Sequence, residues 1–279
     1  MDSWLIAAAL LSALLHASWN AAVKASGNAI QAMHAQMLVS ALIGAPVLLW
    51  YGLPDVAAWP WIAISAIFSL SSVACMLRGY QHAGFGMVYP LTRASSILLV
   101  LPLASAVAGE WTSPLGVIGV TLVSLGVLML ALGSGRVTRA MTRPALGWTL
   151  AAGALTAGYV ICDAQGVRRS GNALAYGGLL SIANALLWTW MQRHSSSVRT
   201  ALSAQWRRAV PVAAASMASY WLILWVWTLG PIALAAALRD TSAIFAALIA
   251  IVVLKEPMHR GALLAVVLAT AGSMLIRLA

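Results

Sequence analysis

Ten apolar stretches follow one another along the chain with little between them. They cover approximately 4–24, 30–51, 59–80, 85–108, 113–133, 146–167, 172–192, 209–229, 232–254 and 260–278. Each approaches the roughly 20 residues a helix needs to cross a ~30 Å hydrocarbon core. Backbone groups left unpaired in lipid cost several kcal/mol each, so spanning segments are helices or closed barrels. A barrel would show alternating segments of ~10 residues, and runs such as Val117–Leu132 do not alternate. The pattern therefore predicts an all-α integral membrane protein with ten transmembrane helices. Thr112-Ser113-Pro114 supplies a cap and a first-turn proline for the fifth span. Pro144 and Pro231 mark the starts of the sixth and ninth.

The polar positions recur. With a shift of 146, Gly84–Leu130 lies over Gly230–Ile276 without a gap. Arg93 meets Arg239, Ser96 meets Ser242, Glu110 meets Glu256 and Gly126 meets Gly272. Ser26-Gly27-Asn28-Ala29 is echoed by Ser170-Gly171-Asn172-Ala173. The chain divides into a first five-helix repeat, 1–135, and a second, 146–279. Five spans per half is an odd number, so the second copy is expected upside down relative to the first. Inverted repeats are the architecture of secondary transporters, with substrate near midplane between the halves. Duplication that merely builds a larger bundle is the plainer alternative.

Composition agrees with the pattern. Apolar residues make up 62% and charged residues 8%, against about 25% charged in soluble domains. The net charge of +10 is not a nucleic-acid signal, because most Lys and Arg sit in short connections, where they meet lipid headgroups and set orientation. Lys24, Arg78, Arg136, Arg139, Arg143, Arg193, Arg199, Arg207, Arg208, Lys255 and Arg260 fall on one side. Arg168, Arg169 and Arg277 fall on the other. That bias predicts an inner-membrane protein with both termini periplasmic. Cys75 and Cys162 lie within apolar runs and read as small hydrophobes. The N-terminus lacks the basic n-region of a cleaved signal peptide.

Leu15-His16-Ala17-Ser18-Trp19-Asn20 and two end-of-half patterns carry a family resemblance. The patterns are Gly109-Glu110-Trp111-Thr112 leading to Gly116 and Gly126, and Lys255-Glu256-Pro257 leading to Gly261 and Gly272. Over its whole length the chain resembles the ten-helix EamA-type branch of the drug/metabolite transporter (DMT) superfamily. Within that branch it is most similar to YddG-type amino-acid exporters. The resemblance implies a secondary transporter that works by alternating access. It would export aromatic and other neutral amino acids, without a cofactor. The second copy carries Lys255 where the first has Gly109.

Ionisable groups within spans are costly and so are candidate sites. His16, Asn20 and Lys24, at i, i+4 and i+8, share a face with Trp19 beside it. Such a stripe suits a wet cavity, or else hydrogen bonding between helices with Lys24 snorkelling. Arg93 and Arg239 occupy equivalent places. A guanidinium there clamps a substrate carboxylate, neutralises a buried acid or bonds helix-end carbonyls. Asp163 and Asp240 are candidates for proton coupling, or else structural partners of the arginines. Tyr80, His82, Tyr89 and Tyr159 form an aromatic group. Trp221 and Trp225, at i and i+4 in mid-span, are expected on a cavity wall lined by spans 1, 3, 4, 6, 8 and 9, or else against lipid. Trp4, Trp59, Trp61, Trp111 and Trp148 read as interfacial anchors. Glu110 and Glu256 read as structural, set against the positive ends of the helices that follow them. Pro90 and Pro102 kink the fourth span, as gating hinges or as static shape.

No P-loop occurs, so ATP is not the direct energy source. Rival readings keep the fold and change the cargo to another metabolite or drug, taken up or exported. An intramembrane enzyme or assembly factor is a third class, but His-Glu-x-x-His and Gly-x-Ser-x-Gly are both absent. No metal or catalytic residue is expected. The expected partners are a small-molecule substrate and membrane lipid, with a monomer as the working unit.

Overall fold

The protein is described by a computed structural model covering residues 1–83, 85–133, 142–193, 198–252 and 260–279. Eleven α-helices are described: α1 Ser3–Lys24, α2 Ala29–Tyr51, α3 Trp59–His82, α4 Phe85–Ala108, α5 Pro114–Gly133, α6 Arg143–Arg169, α7 Ala173–Met191, α8 Val198–Leu229, α9 Ile232–Asp240, α10 Ser242–Val252 and α11 Arg260–Leu278. A single turn of 3₁₀ helix, Val56–Ala58, precedes α3. Seven helices are long and apolar enough to cross a membrane on their own, and Pro114–Leu130 and Leu263–Leu278 are shorter apolar helices.

The helix ends follow from side chains next to them. The echoed Ser-Gly-Asn motif makes the same turn twice. Ser26 Oγ donates to Val23 O at 2.6 Å, and Ser170 Oγ to Val167 O at 2.7 Å. Gly27 and Gly171 then adopt φ of 79° and 69°, the left-handed region where glycine alone is unstrained. Asn28 caps α2 by accepting from Gln31 N–H, and Asn172 caps α7 by accepting from Leu174 and Ala175 N–H. Thr142 caps α6 with Pro144 in the first turn.

Two boundaries differ from the hydropathy. The eighth helix begins at Val198 rather than 209, because the basic stretch before the apolar run continues the same helix. The ninth span is broken. Thr241 Oγ1 and N–H both turn back to Leu238 O, at 2.6 and 3.3 Å, and the α-helical ladder stops there. A serine or threonine hydroxyl competing for backbone in this way is a known helix disruptor. The break falls directly after Arg239 and Asp240. Gly84, Arg136, Arg139, Lys255, Glu256 and the side chain of Lys24 lie outside the described residues.

The packing has a reciprocal pattern. α3 lies against α6, and α8 against α1; α4 lies against α6, and α9 and α10 against α1. α2 packs on α7, and α5 on α11. These last two contacts depend on missing side chains. A Cβ at Gly119 would sit 2.8 Å from Gly272 O, and one at Gly126 2.8 Å from Ala265 O. Shifting Gly119 by 146 gives Ala265, and shifting Gly126 gives Gly272, so the two contacts exchange under the repeat. Gly272→Leu puts a branched chain where Gly119 O would lie 2.6 Å from its Cβ. Neither helix backbone can yield, so a loss of about 1–3 kcal/mol or more is expected, the usual range for an overpacked core. Thermal melting of the purified protein reads this out. Gly147→Ala, with nothing within 4 Å of its new Cβ, should melt no lower than wild type.

Candidate functional site

The packed bundle encloses a cavity of about 220 Å³ between the two halves of the chain. Every predicted stripe residue of α1 that the structure describes reaches it: His16, Trp19 and Asn20. So do Tyr89 and Arg93 of α4, Tyr159 and Asp163 of α6, and Arg239 at the end of α9. Two further helices contribute that the sequence had left out. α2 brings Met33, Gln36, Met37 and Ser40, and α7 brings Ser181 and Asn184. Most of these positions lie in the half of their helix nearer the α1–α2, α3–α4 and α7–α8 connections. The cavity therefore leans towards that end of the bundle.

Four charged side chains and a histidine organise its interior. Arg93 Nη1 pairs with Asp240 Oδ1 at 3.2 Å, with the side chains 12% and 8% exposed. Arg93 Nη2 lies 3.0 Å from His16 Nε2. Arginine has only donors, so that nitrogen accepts and the ring carries its proton on Nδ1. Tyr89 presents its ring to the same guanidinium at 5.3 Å. Trp19 stands edge-on to His16, with ring centroids 5.1 Å apart. Asn20 Nδ2 donates back to His16 O at 2.8 Å. Asp240 thus does not line the cavity but anchors an arginine that does.

Asp163 is treated differently. It is 1% exposed and collects three hydroxyl donors. Ser65 Oγ and Tyr176 Oη donate to Oδ1 at 2.5 and 3.2 Å, and Tyr220 Oη donates to Oδ2 at 2.7 Å. Its bonds tie α3, α6, α7 and α8 together at the cavity wall. Ser65, Tyr176 and Tyr220 were not among the residues singled out from sequence as ligands. One signal was available: Ser65, Ser69 and Ser72 repeat at i, i+4 and i+7, which puts them on one face of α3, and all three line the cavity.

The eighth helix corrects two assignments. Trp221 and Trp225 do not line the central cavity. They line a separate cleft with Arg168, Asn172 and Leu174 near the start of α7. Trp221 Nε1 donates to Leu174 O, and Trp225 packs on Trp4 at 4.9 Å. The face that reaches the cavity carries Ser216, Met217 and Tyr220 instead, because one residue on a helix turns the side chain by about 100°. Tyr80 and His82 are also elsewhere. Tyr80 packs on a small cluster with Met87, Val88 and Ala145, and His82 is exposed.

Beyond Asp163, the far end is tied by Arg168. Its Nη1 lies 2.6 Å from Glu110 Oε1, Nε donates to Trp227 O at 2.8 Å, and Nη2 to Gly230 O at 2.9 Å. Glu110 Oε2 in turn accepts from Ile232 N–H at 2.7 Å. The carboxylate therefore serves the N-terminus of α9, 122 residues away, and not that of α5, which follows it in sequence. Its partners, Ile232 and Arg168, are on the other half of the chain and not on the helix that follows it, where the sequence had set it.

Residues 143–278 match the EamA-like transporter family. With its long apolar helices, the chain is a multi-pass membrane protein. A solved protein crystal structure superposes on 100% of this chain and 99% of its own, with a TM-score of 0.81 and 16% identity. At that identity the likeness concerns the fold alone. No curated protein matches the sequence.

Proposed function

We propose that the protein is a secondary transporter of DMT type that exports neutral, apolar amino acids, aromatic ones included, across the inner membrane. In this reading it crosses the bilayer ten times, with α9 and α10 forming one discontinuous span. Its two five-helix halves are inverted and rock about the central cavity, and both termini are periplasmic. The reciprocal packing of α3 on α6 and α8 on α1 supports the inverted arrangement. So does the break beside Arg239, since discontinuous helices near midplane are where such transporters place their substrate.

The observation that carries the proposal is the cavity itself. It combines buried charge with soft apolar surface from Met33, Met37, Met76 and Met217. Its volume of about 220 Å³ is below the ~300–1,000 Å³ of sites for drug-sized ligands, which favours a small metabolite over a drug. The end it leans towards is the Lys- and Arg-rich one, cytoplasmic by the positive-inside rule, and an exporter loads there. Counterflow in proteoliposomes with labelled Phe, Trp, Met and Thr is the test. Exchange above empty vesicles is expected for at least the first three, and none for any of the four would refute the amino-acid reading.

A further inference from the structure

Arg93 and Arg239 are equivalent in the repeat, 146 positions apart, yet their surroundings are not. Arg93 has a carboxylate at 3.2 Å and an imidazole acceptor at 3.0 Å. The residue that supplies its carboxylate is Asp240. The same shift carries Asp240 back to Ala94, which has no charge to offer. Arg239 is 7% exposed and lines the cavity. Its Nε has no hydrogen-bond partner, and no carboxylate lies within 4.0 Å of the group among the described residues. The faces of Tyr220 and Trp227 lie 6.0 and 5.9 Å from it, and Asp163 and Asp240 act on it through space from beyond ion-pair reach. The other buried carboxylate, Asp163, is turned to its three hydroxyls. A buried donor without an acceptor is expensive, and a buried guanidinium more so.

The geometry points to Arg239, and not its repeat partner Arg93, as the group that holds the substrate's carboxylate. This rests on the transporter reading above and assigns the two arginines unequal roles within it. The substrate supplies the anion that Ala94 does not. Trp19 Nε1 is a second buried donor without a partner on a residue that lines the cavity. Charge balance narrows the class further. Arg93 with Asp240 is neutral, and Arg239 with Asp163 is neutral across one tyrosine, because Tyr220 bonds Asp163 and faces Arg239. A zwitterion adds no net charge to this interior, whereas a plain carboxylate adds one. Arg93 is a positioning residue that fixes α4 to the break after α9.

The test is binding of phenylalanine and of phenylalaninamide, which lacks the carboxylate, to purified protein in lipid nanodiscs, read by calorimetry. Wild type should prefer the acid by on the order of 100-fold, the scale of losing one partner from a buried charge pair. Arg239→Gln should remove most of that preference while still binding the amide. If Arg239→Gln does not fold, Arg239→Lys decides. An ammonium replacing the forked guanidinium keeps the charge and should lower the preference by a smaller factor. An acid-to-amide ratio unchanged in the variant measured overturns the assignment and leaves the transporter reading standing. Failure of wild type to bind either compound overturns the amino-acid reading and this assignment with it.

Discussion

Arg93→Ala is expected to leave little folded protein, and Arg93→Ala combined with Asp240→Ala to recover much of it. The two side chains pair at 3.2 Å and are 12% and 8% exposed, so neither charge has water to fall back on. Breaking a buried pair by removing one partner costs ~3–5 kcal/mol, chiefly because the other charge remains buried. A loss of that size is a large share of the ~5–15 kcal/mol that typically holds a protein folded. Removing both charges eliminates the stranded ion and leaves a void and an idle His16 Nε2 acceptor. The single variants should also rank. Without Asp240, Arg93 keeps His16 Nε2 at 3.0 Å and the Tyr89 face. Without Arg93, Asp240 has no other side-chain hydrogen-bond donor among the described residues. Asp240→Ala should therefore be the milder of the two. Thermal melts of all three variants and wild type supply the double-mutant cycle. A double variant no more stable than Arg93→Ala would mean that the pair is not what the charge on Asp240 depends on.

The parts of this architecture that local chemistry determines were readable from sequence. A run of apolar residues in lipid has to be a helix, and Thr112-Ser113-Pro114, Pro144 and Pro231 are end signals that act within a few residues. The four spans bearing His16, Arg93, Asp163, and Arg239 with Asp240 stood out because burying such groups demands a partner. The break at Thr241 was not visible, since the apolar run on both sides averages it away and the disruption comes from one hydroxyl. The hydroxyls around Asp163 were equally hidden. Ser65, Tyr176 and Tyr220 lie on three different helices, and only tertiary packing gives them a common acceptor. Trp221 and Trp225 failed for a different reason. Periodicity identified a helix with an aromatic face but not which face met the cavity, and Tyr220 was one residue away. Glu110 was expected to face the helix that follows it, while its partner, Ile232 N–H, lies across the fold. No local pattern encodes that distance.

Loss of Arg168 should open the end of the bundle where α6 and α8 end and α9 begins. This one guanidinium answers three electronegative groups: Glu110 at 2.6 Å and the carbonyls of Trp227 and Gly230 at 2.8 and 2.9 Å. The carbonyls belong to the C-terminal end of α8, the negative end of its dipole, and Glu110 holds the positive end of α9 through Ile232. Arg168 thus binds α6, the α4–α5 connection and the α8–α9 turn into one closed unit. Charge-assisted bonds are worth ~1.5–3 kcal/mol each when sheltered. Here the Arg168 and Glu110 side chains are 27% and 22% exposed, so screening reduces that. A total of about 2–3 kcal/mol for the closed form follows, and at about 1.4 kcal/mol per factor of ten it shifts the population roughly 30- to 140-fold. Spin labels at Trp111 and Leu229, 88% and 58% exposed, report the separation across this seam in a background without Cys75 and Cys162. Arg168→Ala should add a longer distance that wild type barely populates. Glu110→Gln, which keeps an acceptor for Ile232 but loses the charge, should add less of it. Superimposable distributions in all three proteins would show that the seam is held by apolar packing, with Arg168 only decorating it.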